Sequence, residues 1–215
     1  MQADTKHKSG TAHLRNIILV AFALSGMSSL IYEVVWARQL QLVFGSTVYA
    51  VSTLLAGFMA GFALGAYLFK DIADKSNNPW KIFSFLEIGI GLYALLAIPL
   101  VKFMPHLYLF MLGVPGFTAM QFIIAFAFVL IPATLFGATW PVITSLYSRE
   151  EHFGRDIGRL YSFNSFGCAI GALSSGFVLI PFLGLSSSLF LAALMNLLIA
   201  FVFFILKRGE NKYES

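Results

Sequence analysis

Six times along the chain, apolar residues run for about 20 positions or more with few polar interruptions. The runs are 17–36, 48–69, 82–101, 117–147, 160–183 and 185–206. A helix rises about 1.5 Å per residue, so roughly 20 residues span the ~30 Å hydrocarbon core of a bilayer. Strands that cross a membrane alternate polar and apolar residues over about ten positions. These runs do not alternate, and open backbone groups cannot face lipid. The pattern therefore predicts an all-α polytopic membrane protein with six transmembrane helices: a tail over 1–15, a membrane domain over 16–206 and a second tail over 207–215. The first run begins like a signal peptide, with Lys6, Lys8 and Arg15 ahead of it and Ala21-Phe22-Ala23 within it. It continues well past that small-residue pattern, which predicts an uncleaved first helix.

Small residues add detail. In "GFMAGFALGAYLFKDIADKSNNP", residues 57–79, Gly57, Gly61 and Gly65 stand four apart, and Lys70, Asp71, Asp74 and Lys75 mark the exit from the apolar run. Spacing of four puts the glycines on one helix face, where another backbone can come close. Gly167, Gly171 and Ser175 form a related stripe in the fifth run. Two such stripes, in the second and fifth of six helices, point to an inverted three-plus-three repeat. The alternative is that each is an ordinary packing stripe of a helical bundle.

Composition agrees with a lipid surround. Hydrophobic residues make up 59% and charged residues 11% of the 215 positions, against about 25% charged in a soluble domain. Mean hydropathy is +0.83. Lys6, Lys8, Arg15, Lys70, Lys75, Lys81, Arg149, Arg155, Arg159, Lys207, Arg208 and Lys212 fall on one side of a six-crossing topology. Only Arg38 and Lys102 fall on the other, twelve against two. Positive residues favour the cytoplasm, so both termini are expected there. Trp36, Trp80 and Trp140 sit near the expected helix ends, as interfacial tryptophans do. The charged stretch "SREEHFGRDIGR", residues 148–159, reads as a solvated linker between the fourth and fifth helices.

Polar residues inside the apolar runs are the candidate functional positions, because a charge in a bilayer is costly. Glu33 lies toward the outer end of the first helix with Arg38 five residues on. They read either as an interfacial ion pair or a snorkelling arginine, or as a substrate or proton contact at the outer mouth. Glu87, seven residues past Trp80, lies roughly 10 Å into the membrane. Asn164 enters from the same side, and Asn196 is central in the last helix. Together they could line a polar cavity or simply bond between helices. In "PATLFGATWP", residues 132–141, Pro132, Gly137 and Pro141 predict a kink or unwound segment, with Thr134, Thr139 and Thr144 placed to satisfy freed carbonyls.

Other chemistries find no support. Cys168 is the single cysteine, and His7, His13, His106 and His152 lack metal-ligand spacing. No phosphate-cradling glycine loop and no nucleophile–base arrangement is visible, so no cofactor, metal or catalytic residue is expected. Basic residues interrupt apolar runs rather than form a stripe, which argues against nucleic acid.

"SGMSSLIYEVVWARQLQLVFGSTVYAVSTLLAGFMAGFALGAYLF", "LEIGIGLYALL", "PATLFGATWPV" and "GRLYSFNSFGCAIGALSSGFVLIPFLGL" resemble the membrane region of the spermidine-synthase-like integral membrane proteins, the fused major-facilitator/spermidine-synthase family. The resemblance covers nearly everything from 16 to 206. It implies a half-major-facilitator-like bundle in a bacterial inner membrane. Members attach a cytosolic aminopropyltransferase-like domain of Rossmann type after the helices. The chain ends nine residues past Leu206, so no position here matches that domain's site, and the resemblance implies no synthase activity. Asp74-Lys75 resembles part of a major-facilitator loop motif, but Lys70 replaces its leading glycine and Ser76-Asn77-Asn78 its Gly-Arg-Arg. Two functions remain open. One is a transporter-like module, working as a homodimer, for a small cationic metabolite such as a polyamine, with Glu33 and Glu87 as anionic contacts. The other is a non-catalytic anchor or scaffold for a separate synthase-like enzyme or a larger membrane complex.

Overall fold

A computed structural model of the chain describes residues 2–44, 48–111, 116–148 and 152–210. The elements in order are α1 (Gln2–Phe44), α2 (Val48–Lys75), α3 (Pro79–Met111), α4 (Phe117–Tyr147), α5 (Phe153–Ser174), a π-helical turn (Ser175–Leu179) and α6 (Ile180–Glu210). No strand occurs among the described residues.

Among the described residues, five helical stretches are long and apolar enough to cross a membrane, where the pattern predicted six. The difference lies at the C-terminal end. No polar linker separates the fifth and sixth runs, so helix continues from Phe153 to Leu206 over 54 residues. The backbone departs from helical geometry within it at Gly184, with φ 79° and ψ 171°. That conformation is essentially restricted to glycine. Pro181, three residues earlier, removes a backbone donor at the same place. Contacts reverse their sense across this point. On one side, Gly167 meets Ala23 and Gly171 meets Met27, so α5 runs parallel to α1. On the other, Phe83 packs on Phe203, Glu87 bonds Asn196 and Gly91 meets Ala193, so α6 runs antiparallel to α3.

The most extensive pairings are α2 with α4, α1 with α5 and α3 with α6. Exchanging the first three helices for the last three carries the α2–α4 pair onto α5–α1 and returns α3–α6 to itself. Glycine makes the first two pairs. A Cβ at Gly61 would strike Ala133, and one at Gly65 would strike the carbonyl of Thr134. From the other side, a Cβ at Gly137 would strike the carbonyl of Phe62, while Gly57 has ordinary clearance from Phe126. In α5, a Cβ at Gly167 or Gly171 would strike the carbonyls of Ala23 and Met27.

Of the kink or unwinding expected in α4, unwinding is not seen. The helix runs unbroken through Pro132 and Pro141. Pro132 leaves the carbonyl of Phe128 without its helical N–H. The hydroxyl of Tyr93 on α3 takes that place, donating to Phe128 O at 2.5 Å. Thr134 and Thr139 instead donate to Leu130 and Phe136, carbonyls the prolines do not free.

The tryptophans pack against other helices of the bundle. Trp36 is wholly enclosed, stacked on Tyr32 at 5.1 Å and edge-on to Tyr93 and Phe128. Trp80 packs on Phe203 and Trp140 on Phe22. Trp36 and Trp80 are buried, and Trp140 is half-buried. Large apolar side chains such as Phe85, Leu96 and Phe182 lie exposed on the outside, as a lipid surround allows.

Gly65→Val and Gly167→Val should each destabilise the bundle by about 1–3 kcal/mol or more, the usual range for overpacking. Gly158→Ala, where a Cβ meets nothing within 4 Å, should leave it unchanged. Thermal unfolding in detergent would check this, and equal stability for all three variants would contradict the close approach.

Candidate functional site

The buried interior falls into two apolar clusters. One holds Ile31, Trp36, Ile90, Ala94 and Ala193, the other Phe22, Phe83, Leu86, Ile199 and Phe203. A polar layer lies between them. On α1 it is Ser25 and Ser28, on α3 Glu87, on α6 Asn196, and all four are buried. Ser25 Oγ donates to Glu87 Oε1 at 2.7 Å, and Asn196 Nδ2 donates to Oε2 at 2.6 Å. Tyr32 OH donates to Asn196 Oδ1 at 2.8 Å. Each carboxyl oxygen thus has a donor, and the donors come from two other helices. No ion pair to Glu87 occurs among the described residues. A buried carboxyl without a cation depends on such donors for its solvation.

Of the two readings open for Glu87, Asn164 and Asn196, a shared polar cavity or bonding between helices, the hydrogen bonds match the second. Glu87 and Asn196 meet directly, with no exposure for either. Asn164 lies elsewhere, donating from α5 to the carbonyl of Phe22 at 3.1 Å. Cys168 joins it, with Sγ 3.7 Å from Asn164 Oδ1 and 4.0 Å from Ser29 Oγ.

Glu33 and Arg38 do not form the ion pair that is one of their possible readings. Five residues turn an α-helix by about 140° beyond a full revolution, which separates the two side chains around α1. Arg38 is exposed. Glu33 is half-buried and lines a cleft of about 170 Å³ between α1 and α2. Leu30, Val34, Leu54 and Leu55 supply apolar walls, and Gln41 the other polar side chain. Glu33 has no hydrogen bond or ion pair among the described residues. An unpartnered carboxylate beside apolar walls can receive an amine whose methylene body packs on the leucines.

One pair escaped the sequence reading. Asp156, within the stretch read as a solvated linker, is fully buried in the first turn of α5. Arg15 Nη2 contacts its Oδ1 at 2.5 Å, and the Arg15 guanidinium lies 4.4 Å above the Tyr147 ring. The pair clamps the ends of α1, α4 and α5. A signal for it existed: Asp156, Leu160, Asn164, Gly167 and Gly171 share one helix face at spacings of four, four, three and four. That face is the one packed on α1. Arg149 precedes this helix, outside the described residues.

No family model matches the chain, and no solved structure matches it. Among curated proteins it is similar to the polyamine aminopropyltransferase of Corynebacterium efficiens, 28% identical over 191 residues. The similarity covers 86% of this chain and 34% of that protein. The chain thus spans about a third of the length of that relative.

Arg15→Gln removes the guanidinium from a buried carboxylate and should cost up to about 3–5 kcal/mol, less for the part of Arg15 that water reaches. Arg15→Gln with Asp156→Asn together should recover more than half of that loss. A double-mutant cycle read by unfolding in detergent would measure the coupling. Additive losses would show that the two side chains do not interact.

Proposed function

We propose that the chain is a membrane module of the fused major-facilitator/spermidine-synthase type that binds and moves a small cationic metabolite, a polyamine in the first instance. Its helices make six crossings in a three-plus-three arrangement, with both ends on the cytoplasmic side. Several observations support the architecture. A 54-residue helix would extend roughly 80 Å, far beyond a single ~30 Å core. Gly184 divides it into two pieces of opposite sense. The parallel pairs α1–α5 and α2–α4 and the antiparallel pair α3–α6 are those that six alternating crossings require.

The observation that carries the functional reading is Glu33. It is the candidate carboxylate left without a hydrogen-bond or ion-pair partner, and it borders an apolar cleft. A polyamine offers ammonium groups separated by methylene stretches, which suits that combination. The relative's printed name points to the same substrate class. Glu87 is assigned to the interior instead, since its oxygens are already occupied.

A second reading has its own support. The deepest polar groups, Glu87, Asn196 and Tyr32, satisfy one another, as they would in a passive anchor or scaffold for a separate synthase-like enzyme. Uptake of labelled spermidine into proteoliposomes distinguishes the two. Transport predicts uptake by the wild type and a loss of about 10–100-fold in apparent affinity for Glu33→Gln, the worth of one hydrogen bond to a charged group. Wild-type vesicles that take up no more than empty ones, together with a stoichiometric soluble partner in mild detergent, would favour the scaffold.

A further inference from the structure

A second groove lies away from Glu33, between α1 and α6. It encloses about 440 Å³, within the roughly 300–1,000 Å³ range of small-molecule sites. Ile17, Val20, Ala21 and Leu24 form one wall and Met195, Leu198, Ile199 and Val202 the other. Each set is a ridge at spacings of three, one and three on its helix. Val20 and Leu198 are both 54% exposed, so the groove opens to the outside of the bundle.

Its polarity is one-sided. His13 and Asn16 stand at one end and no polar residue stands at the other. From His13 to Leu24 the groove follows α1 for roughly 16 Å, the depth of one leaflet. Because α6 runs antiparallel to α1, the sequence brings Lys207 and Arg208 to the same end as Lys6 and Lys8. These four bases outnumber the acids Asp4 and Glu210 in those segments. Basic residues beside a membrane attract anionic headgroups at about 1 kcal/mol each.

The walls decide what fits. A second helix docks closely in a membrane where small residues line the contact. Here Ala21 is the one small residue among branched and long ones. We infer that this groove holds an acyl chain of an anionic phospholipid, with the headgroup at the His13–Asn16 end. The groove supplies a leaflet-deep apolar channel, and the chain ends supply the charge.

Native mass spectrometry of the full chain released from nanodiscs of equal phosphatidylglycerol and phosphatidylcholine tests this. The wild type should retain phosphatidylglycerol selectively. Val20→Trp with Leu198→Trp, which fills the groove from both walls, should lower retention about tenfold, equivalent to 1.4 kcal/mol. Phe85→Trp, on the exposed face of α3, should retain lipid as the wild type does, with far-UV circular dichroism confirming the fold of each variant. Equal retention of the two lipids, no retention at all, or retention unaffected by the paired tryptophans would overturn the inference. So would an interchain disulfide through Val20→Cys in membranes, which would place a second copy in the groove.

Discussion

Hydrocarbon offers no hydrogen bonds, and that constraint organises this molecule more than any single contact. Most polar groups that enter the bundle are met by another, Trp36 Nε1 and Gln39 Oε1 being buried exceptions. Ser28, Ser29, Ser84 and Ser175 turn back onto carbonyls of their own helices. The carbonyl orphaned by Pro132 takes a hydroxyl from the next helix. The carboxyl of Glu87 takes two donors from two helices, and the order of α1, α3 and α6 around it follows from that need. Against this background Glu33 stands out, since its cleft leaves the same chemistry open to a ligand.

Close packing follows a complementary rule. Between helices in lipid, apolar burial gives little preference, and contact depends on how near two backbones can come. Gly65 against Thr134 and Gly167 against Ala23 are two instances, one in each half of the chain. Both bring parallel helices together. The two stripes thus do equivalent work: one mode of contact, used twice, leaves α3 and α6 to meet each other.

Much of this was legible in the residues. Apolar run length located the helices, and spacing of four located the glycine faces. Glu87 was recognisable as a buried group because depth follows from the count past Trp80. The partners were less legible. Asn164 and Asn196 enter at comparable depths, but depth alone does not give rotation about the bundle, and only Asn196 faces Glu87. The Glu33–Arg38 pair failed for the same reason, since helical phase and not proximity in sequence decides which side chains meet. Asp156 was hidden by its neighbours: Arg149, Glu150, Glu151 and Arg155 made the whole stretch look solvated, although its own helix face is apolar beyond it. The join at Gly184 was legible: the fifth and sixth apolar runs part at that residue, and there the backbone leaves helical geometry.

The clamp between Arg15 and Asp156 also has a bearing on time. Their positions differ by 141 residues, and a ribosome adding about 5–20 residues per second needs roughly 7–28 s to make that length. For that interval α1 must wait with the guanidinium of Arg15 lacking its carboxylate and with the backbone at Ala23 and Met27 lacking the glycines that pack on it, because α5 does not yet exist. α1 therefore meets its most extensive partner late, and until α5 arrives the newborn chain depends on the insertion machinery or on water at the membrane edge to shelter that guanidinium.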